Sequence, residues 1–193
     1  MIHLQFHKTN NMFSGLFGKK EKGDADHLFS DRAFMSTEAK MKACADLAKE
    51  NNSTLFIAWF PDTLKQFRNY FTENGLDPNR IIESKKLTPS QLAQHIPIFV
   101  EHYPIRRKEE DLVSNWQTRN IIVYSAMDEP LFKHFGSEKL IPVMKLMGMK
   151  ENEMIEHAMV TKSIISGQKK IEEKVTVEHS ANSQAEWMER NLH

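Results

Sequence analysis

A single cysteine among 193 residues rules out an internal disulfide. Cys44 stands at helical spacing with Met41, Ala45 and Ala48, the setting of a small buried hydrophobe in a reducing compartment. Glycine is sparse, at 7 residues, and nowhere forms the G-x-x-x-x-G-K-[ST] loop whose backbone amides cradle phosphates. Net charge is lacking too: 26 Lys+Arg balance 26 Asp+Glu, which removes the electrostatic footprint of a general nucleic-acid binder. No apolar run approaches the ~18 residues of a membrane span, and the N-terminus has no apolar stretch of signal-peptide length. The 9 histidines include no H-E-x-x-H, and the pairs Glu156-His157 and Glu178-His179 would point about 100° apart on a helix. These absences predict a cytoplasmic protein without metal, other cofactor, nucleic-acid partner or integral membrane segment, whose partner is a protein or a small molecule.

What is present suffices for a core, since 40% of the residues are hydrophobic. Residues 1–30 show no periodicity and read as a mobile tail, with Met12 as a second candidate start. Its patch from Met12 to Lys20 has few large apolar groups for docking on a membrane or a partner. Ser36 or Thr37 caps a helix to about Asn51, and Thr54 to Phe60 is an apolar run of strand length ended by Pro61. Asp62 is placed to cap a helix carrying Leu64, Phe67 and Phe71 on one face, with Gly75 as its stop. Arg80 to Glu83 is a short strand, Thr88-Pro89-Ser90-Gln91 a capping box, Ile96 to Val100 a third strand and Asn120 to Tyr124 a fourth. A helix from Arg106 to about Trp116 lies between the last two. Strands alternating with helices imply parallel pairing and helices on both faces, an α/β core. Beyond it the chain reads as all helical: Asp128 caps one helix, Ser137 a second through Met147, and a longer one begins near Glu153 or Ala158. Leu140, Met144 and Met147 share a face that reads as core, and Ser183 to Leu192 forms a terminal helix.

Phe135-Gly136-Ser137, Met147-Gly148-Met149-Lys150, Glu156-His157, Val160 to Ile164 and Gln168-Lys169-Lys170-Ile171-Glu172-Glu173 follow one another in an order that resembles SecA-type preprotein translocase ATPases. There the corresponding segment follows the second RecA-like motor lobe and begins a long helical scaffold. Ile122 to Glu129 is similar to the strand and helix start that precede it. Asp31 to Ala43 is similar to the helix leading into the lobe, and Ser53 to Ala58 to its first strand. The resemblance covers about Asp31 to Val175. It implies a RecA-like, mostly parallel sheet of about four strands flanked by helices over 31–135, then an all-helical segment over 136–193.

The departures from that family bear on activity. The first motor lobe, with its phosphate loop, is missing, and so are the glycine-rich and arginine-rich stretches that the second lobe supplies. Setting Arg106-Arg107 on the family's arginine pair puts Val113, Asn115 and Thr118 where the motif arginines would fall, leaving Arg119 as the nearby cation. Phosphoryl transfer needs such cations close at hand, which argues against ATP hydrolysis by this chain alone.

Ligands of open α/β sheets sit at the carboxyl ends of the strands, and these ends offer Asp62, Glu83, Glu101-His102-Tyr103 and Asp128-Glu129. Asp62, Glu101, His102 and Asp128 make an acidic rim suited to acid–base chemistry, unless capping and solvated loops account for it. Glu101, His102, Arg106 and Arg107, with Asp62, are the candidate ligand-binding residues; the arginines suit a phosphate or a carboxylate. Met149, Met154 and Met159 are candidates for a partner-facing patch, thioethers being adaptable contacts. Ile164 and Ile171, on the apolar face of the last long helix, are candidates for a protein partner or for pairing with a second copy. No catalytic residue stands out. Three readings remain open: a non-catalytic protein-binding accessory module related to preprotein translocation, with a translocase component or an exported chain as partner; a nucleotide- or phosphate-binding lobe without hydrolysis; and a small enzyme using the acidic rim.

Overall fold

The computed structural model describes residues 28–116 and 120–192. Five strands, β1 (Phe29–Phe34), β2 (Thr54–Ala58), β3 (Ile81–Glu83), β4 (Ile96–Phe99) and β5 (Ile121–Ala126), form one sheet in the order β1-β5-β4-β2-β3. Every pairing is parallel. Helices fill the crossovers: α1 (Thr37–Glu50), α2 (Pro61–Glu73), α3 (Pro89–Gln94) and α4 (Arg106–Val113). After β5 come α5 (Pro130–His134), α6 (Leu140–Leu146), α7 (Ala158–Glu172) and α8 (Gln184–Asn191). The α/β expectation holds: a RecA-like parallel sheet flanked by helices, followed by a helical segment.

Strand alternation sorts the core into two layers. Phe56, Ala58, Ile98 and Tyr124 face α1 and α2, where Cys44, Ala48, Phe67 and Phe71 meet them. Leu55, Ile57, Phe99, Ile121 and Val123 face the other way, toward Val113 of α4. Burying one such side chain contributes roughly 1.5–3 kcal/mol. A third cluster, Phe60, Ile105, Leu131, Ile171 and Trp187, joins the carboxyl ends of the strands to α5, α7 and α8. Of the helices after β5, α5, α7 and α8 therefore pack back on the sheet.

β1 brings the sheet of about four expected strands to five, and it runs from Phe29 through Asp31, where the sequence suggests the end of a tail and the start of a helix. Phe29 is buried and opens a strand whose centre holds two buried charges, Asp31 and Arg32. They are compatible with burial because each has a counterion: Asp31 lies 2.9 Å from His102, and Arg32 lies 3.3 Å from Glu156. The outer edge of β1 is covered where Ala33 and Ile155 exchange backbone hydrogen bonds at 3.0 and 2.8 Å. The rest of the expected tail, residues 1–27, lies outside the described residues.

The helix ends show which caps are local. Ser36 accepts the Ala39 amide, and the Thr88–Gln91 capping box is present. Asp62 is not a cap: Phe60 holds that position and Pro61 the first turn. Pro130 likewise starts α5, with Glu129 before it. In both places proline, whose fixed φ suits the first helical position, sets the start and displaces the aspartate. Ser137 donates instead to the Met127 carbonyl. At the far end of α1, the Arg80 guanidinium reaches the carbonyls of Ala48 and Asn51, both at 2.5 Å, supplying donors to an otherwise open C-terminus.

The expectation that Leu140, Met144 and Met147 are core is also corrected. Leu140 is 53% exposed and Met147 42%, with Met144 only partly buried. Val143 and Leu146 stand out further, the latter at 89%. α6 is a short helix, apolar on more than one side, so its periodicity could not choose the buried face.

Candidate functional site

The polar groups converge where the sheet changes winding direction. α1 and α2 cover one face and α4 the other, so the crevice between the ends of β2 and β4 is the switch point at which open sheets receive ligands. Here the chain's own Glu101 fills it. The buried carboxylate accepts the amides of Trp59 at 2.9 Å and Phe60 at 3.0 Å, and the hydroxyl of Thr63 at 2.8 Å. The Phe60 amide is that of the N-cap of α2 and Trp59 precedes it, so the carboxylate sits at the entrance to the helix, where an anion would otherwise be received. Burial pushes the Glu101 pKa up to about 7, against the pull of Lys40.

Lys40 is the cation of the crevice and is itself buried. Its ammonium donates to the Val100 carbonyl at 2.5 Å and pairs with Glu129, and it lies 5.3 Å from the centre of the Phe67 ring. Burial raises the Glu129 pKa, opposed by Lys40. Asp128 turns toward α1, accepting the Thr37 amide at 2.8 and 3.0 Å on its two oxygens and the Thr37 hydroxyl at 2.8 Å. Asp128 thus caps a helix distant in sequence. Around these groups is a cavity of about 190 Å³ that Thr37, Asp62 and Gln66 also line. It is small and predominantly acidic.

His102 follows Glu101 but turns to the opposite layer and is fully buried. Its Nδ1 lies 2.9 Å from Glu109, and its Nε2 lies 2.9 Å from Asp31, a charge contact not aligned as a hydrogen bond. Burial alone would lower its pKa, but Glu109 and Asp31 outweigh it and hold the imidazolium to about 10. Gln168 of α7 donates to Glu109 and to the Tyr103 carbonyl, so this network ties β1, β4, α4 and α7 together. Arg106 belongs to it, pairing with Glu109 at 3.3 Å and Glu110 at 2.9 Å and lying 4.4 Å from the Phe29 ring centre.

Of the five candidate ligand-binding residues, the structure brings Asp62 and Glu101 to the cavity. It puts His102 and Arg106 in the buried network and Arg107 on the surface, 3.4 Å from Glu172. Among the partner-facing candidates, Met159 is 50% exposed, Met149 is buried and Met154 packs partly on the first core layer. Ile164 and Ile171 are buried at 1% exposure in the protein's own core, so pairing two copies through them would mean opening that core. Lys40 escaped the sequence reading although it left a signal: with Cys44 and Ala48 it follows the buried stripe of α1, where an uncompensated lysine would be costly. Among the described residues no group of three or more His, Cys, Asp or Glu is arranged to hold a metal, and no helix is long and apolar enough to cross a membrane.

Over 49 residues, 25% of this chain, the sequence is 51% identical to the protein translocase subunit SecA of Acidithiobacillus ferrooxidans. The likeness is to SecA. Over 52 residues the identity to the SecA of Prosthecochloris aestuarii is 50%, and over 49 residues that to the SecA of Blochmanniella floridana is 49%. The matched stretch spans only 5% of the length of the first two SecA proteins and 6% of the third. No protein-family model matches the chain. The relation to SecA is thus distant and covers about a quarter of this chain.

Proposed function

We propose that this chain is a SecA-like accessory module that acts by binding a protein and does not hydrolyse nucleotide. The observation that carries this reading is the seat of Glu101: a phosphate approaching the switch-point crevice meets a carboxylate already on the amides of Trp59 and Phe60, just before α2. The cations near it already have carboxylate partners: Lys40, in the same cavity, is paired with Glu129, and Arg106, in the buried network, with Glu109 and Glu110. Such a lobe supports neither tight phosphate binding nor the charge stabilisation that phosphoryl transfer needs.

We assign the scaffold to 29–135, so that it takes in the whole of β1, and the contact to the helical segment 136–193, centred on α6. Leu140, Val143, Leu146 and Met147 present large apolar side chains to solvent on that one helix, a feature of interaction surfaces. Since the relatives are translocase subunits, the partner we propose is a translocase component or an exported chain. The test places a photo-reactive residue at Leu146 and adds purified SecA or an unfolded exported chain. A crosslink that Val143→Glu suppresses supports the reading; an absence of crosslinks to both refutes it.

A further inference from the structure

The switch-point cavity holds more acceptors than the chain itself satisfies. Asp62, Glu101, Asp128 and Glu129 line it against a single ammonium, that of Lys40. Two of these carboxylates already serve the backbone: Glu101 receives the amides just before α2, and Asp128 the first amide of α1. Glu129 differs. It is only 7% exposed and pairs with Lys40 through Oε1, yet its buried Oε2 has no hydrogen-bond partner among the described residues. Leaving a buried acceptor open is destabilising, so an unpartnered carboxylate oxygen on a cavity wall marks a place for a donor from outside the chain. Asp62, exposed and released from capping by Pro61, presents a second acceptor to the same cavity.

We propose that this cavity binds an alkylguanidinium group, the end of an arginine side chain or a free small guanidine, held between Glu129 and Asp62. The excess of carboxyl groups over the one ammonium selects a cation. Directed N–H donors suit the site better than a metal ion, because no group of three or more His, Cys, Asp or Glu among the described residues is arranged to hold one. Size narrows the choice further. A cavity of about 190 Å³ lies below the roughly 300–1,000 Å³ of pockets that enclose a drug-sized ligand, leaving room for the end of one side chain and not for a nucleotide. The planar guanidinium fork can meet carboxylates on two different elements, and its weak hydration makes it easier to bury than an ammonium. Pro130 and Ala185, also in the lining, give its methylene groups an apolar seat. None of these residues belongs to α6, so this site and the protein contact assigned above fail or succeed separately.

The experiment follows backbone amide NMR shifts of the full chain during titration with ethylguanidinium chloride, with a blocked Gly-Gly-Arg-Gly-Gly peptide, and with tetramethylammonium chloride, a cation without N–H donors. Saturable shifts are expected at Thr37, Thr63 and Ala185 with ethylguanidinium and none with tetramethylammonium. Asp62→Asn, at an exposed carboxylate, should weaken binding about two- to fivefold. Ala185→Phe, which closes the cavity from the surface without altering charge, should abolish it. Lys40→Met combined with Glu129→Gln removes the buried pair without leaving either charge alone and should weaken binding at least about tenfold. Circular dichroism verifies folding, and the two surface variants decide the matter if the buried pair proves indispensable to the fold. Saturation by the peptide assigns the guanidinium to an arginine of a protein partner; binding of ethylguanidinium with exclusion of the peptide assigns it to a free small molecule, and both uphold the site. Absence of saturable shifts with ethylguanidinium and the peptide, equal shifts with tetramethylammonium, or binding unchanged in both surface variants would each overturn the proposal.

Discussion

Glu101 accepts the backbone amide of Phe60 at 3.0 Å, so the end of β4 supplies the anion for the start of α2. That contact, together with those to Trp59 and Thr63, occupies the one crevice of the sheet where topology leads a ligand to be expected.

The same contact makes stability depend on pH. Burial raises the Glu101 pKa from 4.5 to about 7, above its unfolded value, so its contribution is complete below the ordinary carboxylate range and is lost as pH rises through about 7. Glu101→Gln keeps an oxygen for the amides but cannot ionise. Urea unfolding across this window should show the parent losing on the order of 1–3 kcal/mol through this group, and the variant lacking that part of the slope.

His102 extends the trend upward. Its pKa is held at about 10 against an unfolded 6.5, so its stabilisation is present below 6.5 and disappears as pH rises through about 10. NMR titration of the imidazole should find it protonated at neutral pH. Glu109→Gln, removing the carboxylate on Nδ1, should lower the pKa and destabilise the fold by about 1–3 kcal/mol.

Asp128 and Thr37 give a prediction about long-range capping. Asp128→Ala removes the acceptor at the start of α1 and should cost about 1–2 kcal/mol, whereas a local cap of α5 would predict fraying of α5 alone. Hydrogen exchange of the first-turn amides of α1 distinguishes the two, with faster exchange expected there.

The packing of α7 predicts how its buried and exposed sides differ. Ile171→Ala should cost roughly 2–5 kcal/mol by opening a cavity among Phe60, Leu131 and Trp187, whereas Lys170→Ala should leave stability nearly unchanged. Thermal unfolding monitored at the Trp187 signal reads both.

Some of this architecture was legible in the sequence, and the gaps have physical causes. The apolar run of β2 and the capping box at Thr88 are local patterns with local outcomes. β1 was hidden because Asp31 and Arg32 interrupt it, and the groups that neutralise them, His102 and Glu156, lie far along the chain. Asp62 and Asp128 have the chemistry of caps, but Pro61 and Pro130 fix where the helices begin. The carboxyl-edge cluster was legible as far as Asp62, Glu101 and Asp128. Lys40 and the turn of His102 away from Glu101 were not, because they depend on the faces that α1 and the loop after β4 present. The exposure of α6 was illegible for a further reason: Leu140, Ile141, Val143, Met144 and Leu146 surround so short a helix that amphipathicity cannot specify its inward side.

The most direct test of the central claim is calorimetric titration of the intact protein in parallel with magnesium ATP, purified SecA and an unfolded exported chain. The account predicts saturable heat with at least one of the proteins and none with the nucleotide. Heat with magnesium ATP and none with either protein would contradict it.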